Sequence, residues 1–214
     1  MHSRITKPTM TLITLISALA ATMMSPTTSG QAAPVMTNTV VVDQEMISKG
    51  MRMQNPMVGG MMMSAQKDII DNAVNSADHT TLVAAVKAAG LVDTLKSMGP
   101  FTVFAPTNAA FGMLPAGTVD SLLMAENKDK LSKILTYHVV AGKFDFNALA
   151  RLIKTGRGST TLMTASGGKL VAMMNGAHNI VIKDEHDNVA SISTYDVRQS
   201  NGIIHVITKV LLPR

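Results

Sequence analysis

Methionine is the residue type whose number and spacing stand out. The chain has 18 methionines and no cysteine, and eight of those methionines fall between Met36 and Met63. Met51-x-Met53 and the run Met61-Met62-Met63 bring several thioethers together. Thioether sulfur is a soft donor, so such a set suits Cu(I). It is also reversibly oxidised, which suits oxidant buffering. The competing reading is a greasy linker that packs on the rest of the chain or self-associates. Histidine is the second signal. His138 adjoins Val139-Val140, and His205 alternates with Ile204 and Val206. A buried imidazole must satisfy both ring nitrogens, so each of these reads as a structural histidine. His178 and His186 flank a strand–turn segment and His79 precedes a helix, none of which is a ligand pattern. Asp184, Glu185 and Asp187 read as solvated turn residues. No Gly-x-Ser-x-Gly elbow, phosphate loop, dinucleotide fingerprint or His-Glu-x-x-His is present. Nothing orders Ser, His and Asp as a relay, so the chain reads as a non-enzyme. The lack of cysteine excludes disulfides, thiolate catalysis and Cys-ligated metal.

These residues sit in a chain of 214, enough for one domain and a tail. Aromatic residues are only 3%, with no Trp, which argues against a base-stacking surface for nucleic acid. No block of five like charges forms a polybasic arm. Residues 1–32 have the order of a secretory signal peptide: Arg4 and Lys7, the apolar run Met10 to Met24, then small residues. Cleavage after Ala32 is favoured, with cleavage after Ala20 or an uncleaved anchor as alternatives. Losing Arg4 and Lys7 lowers the formal charge from +5 to +3. Residues 33–65 read as a Met-rich flexible tail with Gly59-Gly60 as a turn. Residues 66–214 read as the folded domain. The expected location is exported, periplasmic or extracellular, with no membrane span after signal removal.

The stretch Phe101-Thr-Val-Phe-Ala-Pro-Thr-Asn-Ala-Ala-Phe111 organises that domain. Phe101 to Ala105 suit a buried strand, Pro106 ends it, and Thr107 or Asn108 can cap the helix that starts at Ala109. Helical periodicity covers 67–75, a helix from about 80 stopped by Gly90, and 91–98. Thr118 is expected to cap 119–123, and 127–135 and 147–154 are helical. Tyr137-His138-Val139-Val140 reads as a strand. From Gly158 the period falls to two, with strands at 160–163, 169–173, 180–182, 189–192, 202–207 and 210–212, punctuated by turns. Helices first and a meander second predict an α+β fold.

Three of these pieces resemble the signatures of the fasciclin domain family. Phe101 to Phe111 is similar to the first signature, Tyr137-His138 to the central Tyr-His pair, and Asn201-Gly202-Ile-Ile-His205-Val-Ile207, running on to Leu211-Leu212-Pro213, to the second. The resemblance covers about residues 66–213 and implies a β wedge or sandwich of about seven short strands with a helical layer along one side. It implies that Phe101, Thr107, Asn108, Phe111, Tyr137, His138, Asn201, Gly202 and His205 are structural, with His138 bonding Thr107 or Asn108. It also implies adhesion through protein or matrix-polymer partners. Some animal members bind integrins through an Asp-Ile pair just before the second signature; Asp196, Val197 and Arg198 occupy that position here. Where the family often has Asp after the second signature, this chain has Thr208.

The expected function is therefore a secreted module for cell-surface or matrix adhesion, contacting partners near Asp196 and along exposed strand edges. No cofactor is expected apart from copper on Met51, Met53, Met61, Met62 and Met63. The alternative is a periplasmic copper-binding or oxidant-buffering protein, and a third reading is a small-molecule carrier with a pocket between helices and sheet.

Overall fold

A computed structural model describes residues 55–214. The signal peptide, Met51 and Met53 lie outside the described residues. The first element is a hairpin of β1 (Met57–Val58) and β2 (Met61–Met62). Gly59 and Gly60 both have positive φ (58° and 77°), as a two-residue hairpin turn with the right twist requires. The sequence reading made this stretch a free tail; instead Val58 and Met63 are buried in the core. The Asn55 amide also donates to the Arg198 carbonyl (2.6 Å) and accepts from the Arg198 N–H (3.0 Å). The folded unit thus includes residues from Asn55 onward, because the hairpin has apolar side chains to bury.

The helical layer comes next. It comprises α1 (Ile69–Ala73), a 3₁₀ turn at Ala77–His79, α2 (Thr80–Ala89) and α3 (Val92–Lys96). Asp68 caps α1 by accepting from the Asp71 N–H. Gly90, at φ 72°, ends α2, with Gly90 and Leu91 donating back to Lys87 and Val86. Strand β3 (Phe101–Pro106) then runs into α4 (Asn108–Gly112), with Thr107 as cap. Helices α5 (Thr118–Leu123) and α6 (Lys128–Tyr137) follow. Gly117, not Thr118, stands at the N-cap of α5, with φ 80° and no side-chain bond. After β4 (Val139–Ala141) and α7 (Phe146–Thr155) come β5 (Ser159–Met163), β6 (Lys169–Met174), β7 (Ile180–Lys183), β8 (Val189–Gln199) and β9 (Gly202–Ile207).

The seven strands β3 to β9 form a sheet in the order β4-β3-β9-β8-β7-β6-β5. Every pairing is antiparallel except β3 with β9, which runs parallel from Phe101 opposite Gly202 to Pro106 opposite Ile207. The sheet curls until its two ends meet: Val140 bridges Thr164, and Ala165 N–H donates to Val139 O at 2.7 Å. The two edge strands, β4 and β5, thus meet at this one bridge. Two cores result. Val103, Ala105, Ile204 and Val206 pack against the helices, whereas Phe104, Ile207, Leu170 and Ile182 fill the other face. Burial on both faces explains why β3 and β9 carry apolar residues on both sides, interrupted by the buried Thr102 and His205.

Three strand readings need correction. Tyr137 is the last residue of α6 and His138 its C-cap in helical conformation, so the strand begins only at Val139. The strand starting at Val189 does not stop at Ile192 but continues to Gln199 through register shifts on either side of Thr194. Residues 210–212 form no strand, although Val210 and Leu211 are buried. Thr208, standing where family members often have Asp, accepts from the Ser191 N–H through its hydroxyl (3.1 Å) and thereby prolongs the β8–β9 pairing.

Candidate functional site

Tyr137, His138 and His205 are buried, and each is held by backbone groups. His138 is 3% exposed. Its Nδ1 lies 2.8 Å from the Ile134 carbonyl and so carries the proton, while Nε2 accepts from the Leu211 N–H at 3.0 Å. Burial pushes its pKa down to about 4, against smaller opposing effects of the Ile134 carbonyl and the Asp184 charge, so the ring is neutral at pH 7. The partners expected from the resemblance, Thr107 and Asn108, are not its partners. His138 terminates α6 and therefore faces the C-terminal segment rather than the β3–α4 corner. Thr107 instead accepts from Ala110 N–H (3.3 Å) as the cap of α4. Asn108 accepts from Thr81 N–H (3.0 Å) and donates to Ala77 O (2.9 Å) and Thr80 Oγ1 (3.0 Å), fixing the start of α2.

His205 is fully buried on the other face of β9. Its Nε2–H donates to Phe144 O (2.8 Å) and its Nδ1 accepts from Asp196 N–H (3.3 Å). The ring stacks on Phe104 at 5.8 Å and meets the Tyr195 ring edge at 6.0 Å. Burial again lowers its pKa, outweighing the Phe144 carbonyl and the charges of Asp196 and Asp145. Tyr137 is likewise enclosed, donating to Lys169 O (2.7 Å) and accepting from Glu185 N–H (3.1 Å). Burial raises its phenol pKa to about 12.

Asn201 and Gly202 open β9. Asn201 accepts from Ile69 N–H (3.1 Å) and donates to Leu95 O (2.8 Å) and Ser97 O (3.2 Å), joining the start of α1 to the end of α3. A Cβ on Gly202 would collide with the Phe101 carbonyl, so the parallel pairing of β3 with β9 needs glycine there. Phe101 and Phe111 pack into the helix-side core, as their places at the ends of the first signature imply.

The adhesion triplet is divided by the fold. Val197 is 1% exposed and belongs to the helix-side core, so its side chain cannot meet a partner. The cause is a bulge. Asp196 takes φ 56°, which Asp tolerates better than β-branched residues, and this turns the next side chain inward. Asp196 is half-buried and its Oδ1 accepts from Phe146 N–H at 2.8 Å, while Asp145 caps the same helix by accepting from Ala148 N–H at 2.8 Å. Two carboxylates thus hold the N-terminus of α7, where the helix dipole favours negative charge. Arg198 is half-buried beside Asn55.

Of the methionines proposed for copper, Met61 and Met62 are exposed on the hairpin, and Met63 is 5% exposed in the core, which removes it from any surface site. Among the described residues no three His, Asp or Glu side chains cluster to hold a metal ion.

The sequence reading missed two structural polar groups. Asp184, read as solvated, is 4% exposed. It accepts from the backbone N–H of His186, Asn188 and Leu212 and from the Asn188 amide, all at 2.9–3.0 Å, tying the β7–β8 turn to the chain end. The Asp-x-x-x-Asn spacing across a turn was the available signal. His79, read as a helix neighbour, is buried, with Nδ1 2.8 Å from Ser76 Oγ.

A seven-stranded mixed sheet with a helical layer, cross-tied by the two signature strands, defines a domain class, and comparison with known proteins identifies it. The fasciclin domain family model matches residues 77–213, and the chain belongs to that family. Protein sll1483 of Synechocystis is 48% identical over 147 residues, covering 68% of this chain and 73% of that protein. The cell surface glycolipoprotein MPB83 of Mycobacterium bovis is 34% identical over 203 residues, covering 90% of this chain and 83% of that one. Among solved structures, the FAS1 domain pair from the insect cell adhesion molecule Fasciclin I matches with a TM-score of 0.61 at 22% identity, over 68% of this chain and 51% of that one. Among the described residues no helix is long and apolar enough to cross a membrane.

Proposed function

We propose that this chain is an exported attachment module that holds a cell surface or matrix through protein or polymer contacts, and that it is not an enzyme. The observation that carries the reading is the use made of the chemically capable groups. His138, His205, Asp184 and Asp196 each bond backbone groups of the fold, which leaves no nucleophile–base pair facing solvent among them. A cell-surface location for the relative MPB83 fits this reading. With Val197 in the core, the attachment face shifts to the helix that Asp196 anchors. Asn147, Ala150, Arg151 and Lys154 line a shallow open depression on α7. Among the described residues, neither Arg151 nor Lys154 takes part in an ion pair. Such a face suits an anionic polymer or an acidic protein patch.

The test is binding of the full chain to envelope and matrix preparations of its own cell at low and high salt. Native protein should bind and weaken as salt rises. The double substitution Arg151→Gln with Lys154→Gln should weaken binding about tenfold or more with little change in the denaturation midpoint, since both side chains are exposed. Equal binding by both proteins would remove α7 as the attachment face, and no binding by either would remove the module reading.

A second reading, copper binding or oxidant buffering by the methionines, is favoured by one observation. Met57 and Met62 are paired across the hairpin and both are exposed. Two thioethers on one surface can share a soft ion. Competition for Cu(I) against a chelator should show uptake that Met57→Leu with Met62→Leu reduces; unchanged uptake would place the metal elsewhere.

A further inference from the structure

The dipeptide Asn-Gly occurs twice in the chain, at Asn175-Gly176 and at Asn201-Gly202, and the fold treats the two copies differently. In this pairing the glycine nitrogen can attack the preceding side-chain amide, because glycine has no Cβ to crowd the approach and its backbone turns freely. The attack needs a glycine N–H outside any hydrogen bond, a side chain that can rotate onto it, and access for water.

The copy at Asn201 is blocked. Its side chain accepts from Ile69 N–H and donates to Leu95 O and Ser97 O. Gly202 is buried in β9, paired with Phe101 of β3 and Gln199 of β8. The copy at Asn175 is open. It begins the turn between β6 and β7, and residues 175–179 are all exposed. Asn175 N–H donates to Asn179 O at 2.7 Å, which holds the base of the turn. The Asn175 side chain and Gly176 N–H, by contrast, have no hydrogen-bond partner among the described residues. Gly176 takes φ 82°, and a Cβ there would meet nothing within 4 Å, so the nitrogen lies in open surroundings.

We propose that Asn175 is a self-modification site, where the β6–β7 turn converts its own amide to a carboxylate with water as the only co-reactant. Gly176 N–H gives its proton to hydroxide or a buffer base. The nitrogen bonds to Asn175 Cγ and closes a five-membered imide. The bond from Cγ to Nδ2 breaks, and Nδ2 takes up a proton and leaves as ammonia. Water then adds to either imide carbonyl and opens the ring. One opening gives aspartate; the other gives isoaspartate, in which the main chain runs through Cγ. No atom is oxidised or reduced, and the new carboxyl group ionises at neutral pH. Residues 146–183 contain Arg151, Lys154, Arg157, Lys169 and Lys183 but no Asp or Glu, so the product is the first acid in that span. Ser159 pairs with Met173, so Arg157 and the turn lie beyond the same end of the β5–β6 pair. The modification therefore lowers the positive charge at that end. It is independent of the attachment face on α7 and holds whether or not that face binds.

The test ages the full chain in mildly acid and mildly alkaline buffer. Peptide mapping by mass spectrometry reads amide loss at each asparagine, and an isoaspartate-specific methylation assay reads the rearranged product. In the folded chain Asn175 should deamidate about a hundredfold faster than Asn201, whose three hydrogen bonds must open first. In guanidinium chloride the two rates should become similar. The reaction should quicken on the alkaline side, yield isoaspartate with aspartate, and slow about tenfold in Gly176→Ala, whose methyl group crowds the nitrogen. The proposal is overturned if Asn175 is no faster than Asn201 in the folded chain, or if the difference persists after unfolding. It is also overturned by aspartate without isoaspartate, which signals direct hydrolysis, or by an undiminished rate in Gly176→Ala. That variant is strained at φ 82°; should it fail to fold, the comparison of folded with unfolded native chain decides alone.

Discussion

At the scale of single residues, the polar side chains of the signature motifs are fasteners. Asn201 is the clearest case, because one side chain closes three backbone groups from two helices. Each such bond contributes about 1 kcal/mol net, and more where a buried group is left unpaired. Asn201→Ala should therefore cost about 2–3 kcal/mol, read as a shift in the urea midpoint with an unchanged slope. Tyr137→Phe removes one hydroxyl that serves two backbone groups and should cost about 1–2 kcal/mol by the same measurement. These residues were visible in the sequence as parts of motifs. Their partners were not, since Asn201 bonds residues 104 to 132 positions away.

At the scale of elements, the bulge in β8 connects the sheet to α7. Asp196→Ala loses the acceptor for Phe146 N–H and keeps an unfavourable positive φ. Hydrogen exchange at Phe146 and Asn147 should quicken, and stability should fall by about 1–2 kcal/mol. Asp196→Gly relieves the backbone but not the lost bond, so it should fall between Asp196→Ala and the native chain. A loss of attachment in Asp196 variants would therefore report on the placement of α7 as well as on any direct contact. The extent of β8 was unreadable from periodicity because register shifts at Thr194 and Asp196 interrupt the alternation that marks a strand. Likewise Tyr137 and His138 looked like strand residues. They end a helix because Leu131 and Leu135 bury one face of it in the helix-side core while Tyr137, on the opposite side of its last turn, enters the other core.

At the scale of the whole molecule, three buried histidines make stability depend on pH. Burial lowers the folded-state pKa of His79, His138 and His205 below the ordinary value of 6.5. The unfolded chain therefore binds more protons than the folded one as pH falls through 6.5, and unfolding becomes easier. The contribution is fully present above that value and is lost as pH drops toward the folded pKa, about 4 for His138. Denaturation midpoints measured from pH 7.5 to 4.5 should stay level and then decline below about 6.5. His138→Gln, though less stable at neutral pH, should show a shallower decline; an identical slope would assign the effect to other groups. The sequence by itself determined the fold class, the family through its three motifs, and a cap for α4 at Thr107 or Asn108, because periodicity, capping and turn chemistry act over a few residues. Only the tertiary structure decided that β3 and β9 lie side by side in parallel, that the ends of the sheet meet, that Val197 and Met63 are core residues, and that His79 is buried. Those outcomes depend on which distant surfaces bury one another, and that choice is made collectively by the two cores rather than by any local run of residues.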